Sequence, residues 1–122
     1  MRFARWVFAG AGIYGIVLLA PQYFLEGKLG RDFPPPLNHP EHFYGFIGVA
    51  LAFQLLFLAI ARDPLRLRPA MWPCVLEKVA FGAAAIALHQ QGRLNAAALG
   101  FGIADLVLAG LFVVAWWRTP RT

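Results

Sequence analysis

Residues Ala96–Trp117 read AAALGFGIADLVLAGLFVVAWW, 22 residues in which Asp105 is the one charged side chain. A helix rises about 1.5 Å per residue, and a bilayer's hydrocarbon core is about 30 Å thick, so roughly 20 apolar residues suffice to cross it. This run does so with two residues to spare. Working outward from it, three more stretches are apolar over nearly the same length. They are Trp6–Leu25, Phe43–Ala61 and Ala70–Leu88, with 20, 19 and 19 residues. The sequence therefore predicts an all-α fold, a four-helix transmembrane bundle with spans at about 6–25, 43–61, 70–88 and 96–117, forming a single transmembrane domain over residues 1–122.

Composition agrees. The chain has 122 residues, 60% hydrophobic and 14% charged. A soluble domain of that size needs a charged coat that this chain does not have. The net charge of +5 invites a nucleic-acid reading, but the arginines sit at the ends of apolar runs rather than in a basic stripe, so no nucleic-acid partner is expected. Cys74 is the sole cysteine, which rules out an intrachain disulfide and cysteine-based metal sites; it is expected to be a small packing residue. Arg2 and Arg5 before an apolar stretch resemble a secretory signal. That stretch is long enough to span, however, and no small-x-small cleavage site follows, so it is read as a retained first helix.

The breaks carry turn chemistry. Glu26-Gly27-Lys28 ends the first span, and Pro34-Pro35-Pro36 is expected to run as a stiff polyproline segment. Asn38 is a candidate helix cap, with Glu41 three positions on. Asp63-Pro64 stops the second span, and Pro73 is expected to kink the start of the third. In Gln90–Asn95, Gly92 suits a helix C-cap and Asn95 the start of the next helix.

Orientation follows from Lys and Arg. Arg2, Arg5, Arg62, Arg66, Arg68, Arg118 and Arg121 would lie on one side and Lys28, Arg31 and Arg93 on the other. The richer side is expected to be cytoplasmic, giving N-in/C-in topology in the cell's inner membrane. Trp6, Trp72, Trp116 and Trp117 fall at that boundary; Tyr23, Phe24, Phe43 and Tyr44 mark the other. Small-residue pairs suited to close packing are Ala11/Gly15, Gly48/Ala52, Ala80/Ala84 and Ala98/Gly102.

Charges inside a span cost about 2.5–3.5 kcal/mol each on insertion scales, so each needs a reason. Glu77, Lys78 and Asp105 are three such residues, and Gln54 and Tyr14 are polar without charge. At about 1.5 Å per residue, Tyr14, Gln54, Glu77 and Asp105 all lie about 14–17 Å from the outer boundary, so four helices contribute to one polar layer. Asp105 shares a face with Ala98, Gly102 and Ala109, and Tyr14 with Gly10 and Ala11. Glu77 and Lys78 are consecutive and point about 100° apart, so they are not expected to face the same neighbour. Lys78 either snorkels toward the headgroups or pairs with Asp105; in the second case Glu77 is left without a counter-charge. Gln54 and Tyr14 can equally be helix–helix hydrogen-bond partners. At the outer rim, His39, His42 and His89 with Glu26 and Glu41 match no metal-site spacing, and no metal is expected.

The layout resembles the DoxX-like group of small four-helix membrane proteins. The carriers are the four spans, Pro40-Glu41-His42-Phe43-Tyr44-Gly45-Phe46 opening the second, Leu76-Glu77-Lys78 and Asp105. More distantly it is similar to the emopamil-binding/sigma-2 receptor group. The first resemblance implies a link to quinone chemistry for some members; the second implies a sterol-like ligand beside buried acids. Together they favour a bundle that binds an apolar small molecule, a quinone, isoprenoid or sterol-like lipid, at Glu77, Asp105, Lys78, Tyr14 and Gln54. Two other readings stand beside it. One is an accessory subunit docking a membrane protein partner or a second copy, with the polar layer fixing helix packing. The other is a lipid isomerase using buried carboxyls, although no nucleophile, metal motif or cofactor signature supports catalysis.

Overall fold

The computed structural model describes residues 2–32 and 39–120. Its helices are α1 (Arg2–Leu19), extended by a 3₁₀ turn over Ala20–Phe24, α2 (Glu26–Asp32), α3 (Pro40–Arg62), α4 (Met71–Gln90), preceded by a 3₁₀ turn at Arg68–Ala70, and α5 (Ala96–Arg118). No strand occurs among the described residues. Four segments are long and apolar enough to cross a membrane: Arg2–Phe24, Pro40–Arg62, Arg68–Gln90 and Ala96–Arg118. The chain is a multi-pass helical membrane protein.

The helix ends follow local chemistry. Pro40 occupies the first position of α3, where a missing N–H costs nothing. Gly92 adopts φ 73° after α4, a conformation that glycine takes without steric penalty. Asn95 caps α5, its Oδ1 accepting from the Ala98 N–H at 2.8 Å. Pro73 lies in the first turn of α4, and the helix runs through it unbroken from Met71 to Gln90; its absent N–H would have had no partner there. Glu26-Gly27-Lys28, expected as a turn, instead opens α2. Glu26 in its first turn and Arg31 in its last complement the helix dipole. The polyproline segment, the Asn38 cap and Arg121 lie outside the described residues.

The four long helices alternate in direction. α1 packs along α3 and α4 along α5; these two pairs are joined mainly by α1 against α5, while α3 and α4 touch only sparsely. The pairs are pinned together at the end that carries Arg2, Arg5, Arg62, Arg66, Arg68 and Arg118. There Phe8 stacks on Phe112 at 4.2 Å between ring centroids, and Phe57 meets both edge-on at 6.1 and 5.0 Å. Ala4, Ala11, Ile60, Met71, Cys74 and Ala115 complete this buried core. In the opposite half the pairs meet through Phe46 on α3 and Phe81 on α4, whose rings stack at 6.2 Å between centroids, and no residue of the buried core lies there among the described residues.

Glycine sets how closely each pair approaches. A Cβ on Gly15 would overlap the Gln54 amide, and one on Gly82 would stand 2.8 Å from the Gly102 carbonyl oxygen. Ala85 lies directly against Gly102. The expected Ala11/Gly15 face is therefore an interface, whereas Ala80 and Ala84 are exposed and α4 packs through Gly82 and Ala85. Ala52 is likewise exposed, while Gly48 faces the Tyr23 hydroxyl.

Candidate functional site

The five polar residues of the mid-span layer border one cavity of about 590 Å³ in the open half of the bundle. Each long helix contributes. Tyr14 and Gly15 come from α1, Gln54 from α3, Glu77 and Lys78 from α4, and Asp105 from α5.

Lys78 is the centre of this constellation and is buried, 4% exposed. Its Nζ donates to Asp105 Oδ1 at 3.5 Å and lies 3.6 Å from Glu77 Oε2. The ammonium also sits 5.2 Å from the centre of the Phe57 ring, a cation–π contact with the aromatic plug below. Snorkelling is thus replaced by pairing. The expectation that Glu77 would lack a counter-charge is also overturned. Consecutive residues do diverge by about 100° at Cβ, but the flexible four-carbon lysine stem brings its charge back within reach of its neighbour. Two carboxylates therefore share one ammonium.

The exposure of the three groups is unequal. The Lys78 side chain is 5% exposed, whereas those of Glu77 and Asp105 are 19% and 18% exposed. The triad therefore turns its two acidic side chains toward the cavity more than its ammonium, although Glu77 Oε2 itself is buried. Such groups accept hydrogen bonds and cannot donate them while ionised.

Gln54 is 1% exposed, on the inward face of α3. Its Nε2 donates to the Ala50 carbonyl at 2.7 Å, which fixes the amide, because only the NH₂ side can face a carbonyl. Oε1 is left without a hydrogen-bond partner, pressed against the α-carbon of Gly15. Tyr14 is 38% exposed, at the edge of the cavity rather than in its floor.

Above this floor the walls are apolar. Leu18, Phe46, Val49, Phe81 and Phe101 line them, and Gln22 is the one further polar side chain. Residue spacing could have found these positions. All but Val49 lie one or two helical turns outward from a polar residue: Leu18 and Gln22 from Tyr14, Ala50 and Phe46 from Gln54, Phe81 from Glu77, and Phe101 from Asp105. Side chains four apart stack on one helix face. The signal was missed because the apolar members look like any lipid-facing residue.

The outer histidines are less scattered than their spacing implies. The ligand atoms of His39, Glu41 and His42 lie within 4.8 Å of one another, and all three residues are exposed. Their present geometry satisfies itself. His39 Nδ1 and Glu41 Oε1 are 3.2 Å apart, and the His39 and His42 rings stack at 5.0 Å instead of converging on a common point. His89 stands outside this group, its Nδ1 3.0 Å from the Leu94 carbonyl oxygen.

Comparison of the chain with protein-family models, with curated proteins and with solved structures finds no match to any of them.

Proposed function

We propose that the protein binds a lipophilic small molecule, a quinone, isoprenoid or sterol-like lipid, in the open half of the bundle. The observation that carries this reading is the cavity itself: about 590 Å³, apolar-walled, with its charged groups gathered at one end. That volume falls in the range of about 300–1,000 Å³ usual for small-molecule sites, which pair apolar walls with a few convergent polar groups. The triad lies next to the aromatic plug, Lys78 Nζ standing 5.2 Å from the Phe57 ring centre, so the ligand's polar head rests at the triad and its apolar body extends toward the histidine-bearing end. A head that donates hydrogen bonds, such as the hydroxyl of an isoprenoid alcohol, a sterol or a hydroquinone, complements the exposed carboxylate oxygens.

The same reading takes the arginine end as cytoplasmic and the membrane as the inner one, in line with the excess of arginine there. It also retains the DoxX-like resemblance as an architectural kinship. An accessory role remains the second reading. It is favoured by the Gln54–Gly15 contact and the Lys78 triad, which fix helix register without needing a ligand.

Native mass spectrometry of gently extracted protein separates the two. A discrete small adduct on the wild type, lost in Glu77→Gln or Asp105→Asn with helicity intact, supports a ligand site. If wild type and both variants carry bulk phospholipid alone, the accessory reading takes its place, and a co-purifying protein is the next object to seek.

A further inference from the structure

We infer that a second site, on the outer surface at the arginine end, holds the phosphate headgroup of an anionic phospholipid. It lies in a groove between α1 and α3 lined by Arg2, Arg5, Trp6, Leu58, Ala61 and Arg62. Three guanidinium-bearing residues and an apolar wall thus share one depression of about 590 Å³.

The charge balance there is unrelieved. Of the chain's six acids, Asp63 alone falls at this end of the sequence's spans. Its Oδ1 accepts from the backbone N–H of Arg66 at 3.3 Å. None of Arg2, Arg5 and Arg62 pairs with a carboxylate among the described residues. Arg2 and Arg5 also occupy the first turn of α1, where the helix itself presents partial positive charge and favours an anion. Arg5 donates from Nη1 to the Arg62 carbonyl at 3.0 Å, which draws two of the three together across the groove.

Other arginines at this end differ in kind. Arg68 donates from Nε to the Trp116 carbonyl at 3.1 Å and lies 4.1 Å from the centre of that ring, while Arg118 covers Phe3 at 4.9 Å. Both of those guanidinium groups lie against the protein's own aromatic rings, which none of the three groove arginines does among the described residues. The groove arginines keep most of their donors for something external.

A phosphate suits them, because the guanidinium fork binds its oxygens two at a time. A lipid suits the groove better than a free anion. Trp6, 74% exposed, and Leu58 continue the groove into the apolar belt, where an acyl chain packs and a soluble phosphate has nothing to touch. Basic pockets between spanning helices on the cytoplasmic side are where anionic headgroups are held.

The test uses the full chain in mild detergent, with phosphatidylglycerol and chain-matched phosphatidylcholine as probes and native mass spectrometry as the readout. Arg2→Gln/Arg62→Gln removes two groove charges and leaves the Arg5 hydrogen bond to the Arg62 backbone. Arg66→Gln/Arg118→Gln removes the same charge from the same end outside the groove. The expected result is one retained phosphatidylglycerol on the wild type and on the control pair. Retention falls roughly thirtyfold in the groove pair, the usual worth of two arginines beside an anionic lipid. Equal loss in both pairs would mean diffuse attraction and overturns the site. Equal retention of phosphatidylcholine overturns it too, as does full displacement by millimolar inorganic phosphate, which would make the apolar wall irrelevant.

Discussion

Lys78 holds one positive charge between two carboxylates, at 3.5 Å from Asp105 and 3.6 Å from Glu77, with almost no exposure to soften its removal. Taking away one partner of a buried ionic group strands the others, a loss usually of about 3–5 kcal/mol. Lys78→Met should therefore destabilise the bundle by about that amount in a denaturant titration followed by circular dichroism. Adding Glu77→Gln and Asp105→Asn to it removes the stranded charges and should restore most of the loss. If the triple variant stays as weak as the single one, the lysine acts through its packing on Phe57 and not through charge. Gly15 makes a second case. Its Cβ would overlap the Gln54 amide, whereas a Cβ on Gly10 meets nothing within 4 Å. Gly15→Ala should cost roughly 1–3 kcal/mol as overpacking, Gly10→Ala close to nothing, and Gln54→Ala should relieve the first. Thermal unfolding of Gly15→Ala, Gly10→Ala, Gln54→Ala and the Gly15→Ala/Gln54→Ala double variant in one detergent decides it. The sequence made the identity and depth of these polar residues legible, because a charge in a long apolar run stands out. It did not make their contacts legible, since where a flexible lysine stem ends depends on helices that adjacent residue numbers do not describe.

At the scale of the element, the helices were the most legible feature, with span boundaries falling within a few residues of the apolar runs. Desolvation of the backbone forces helical hydrogen bonding over any segment that crosses hydrocarbon, so hydropathy and helix coincide. The α4–α5 connection was equally legible, because its two special residues have one job each. Gly92 holds φ 73° and Asn95 caps the next helix. Gly92→Ala should cost about 1–2 kcal/mol by forcing an L-residue into the left-handed region. Asn95→Ala should cost about 0.5–2 kcal/mol through the lost cap. Because the two sites lie in one short turn, a double-variant cycle is informative. Losses that add would mark two local defects, while a smaller combined loss would mean that either change already opens the hairpin. What the runs concealed was which small-residue stripe faces which neighbour. Ala80/Ala84 and Gly82/Ala85 are equally good close-packing pairs on paper, and only the position of α5 selects the second.

At the scale of the whole molecule, the two ends are chemically unlike. One end gathers six of the described arginines, the buried aromatic plug and all four tryptophans; the other carries the three histidines and the apolar-walled part of the cavity. An excess of arginine resists translocation, so this asymmetry should fix a single orientation with both termini inside the cell. Cys74 is buried, and its Sγ donates to the Ala70 carbonyl at 3.3 Å. Cys74→Ser keeps that donor and gives a background free of thiols. Single cysteines are then placed at exposed Arg66, between α3 and α4, and at exposed Gln91, between α4 and α5. An impermeant maleimide applied to intact cells should label Gln91→Cys and reach Arg66→Cys only after permeabilisation. The reverse pattern would turn the molecule over, putting the histidine-bearing end on the cytoplasmic side and the arginine groove outside. Equal labelling of both would mean two coexisting orientations. In that case seven arginines against Lys28, Arg31 and Arg93 do not suffice to orient the chain, and the phosphate-binding groove could not draw on one leaflet alone.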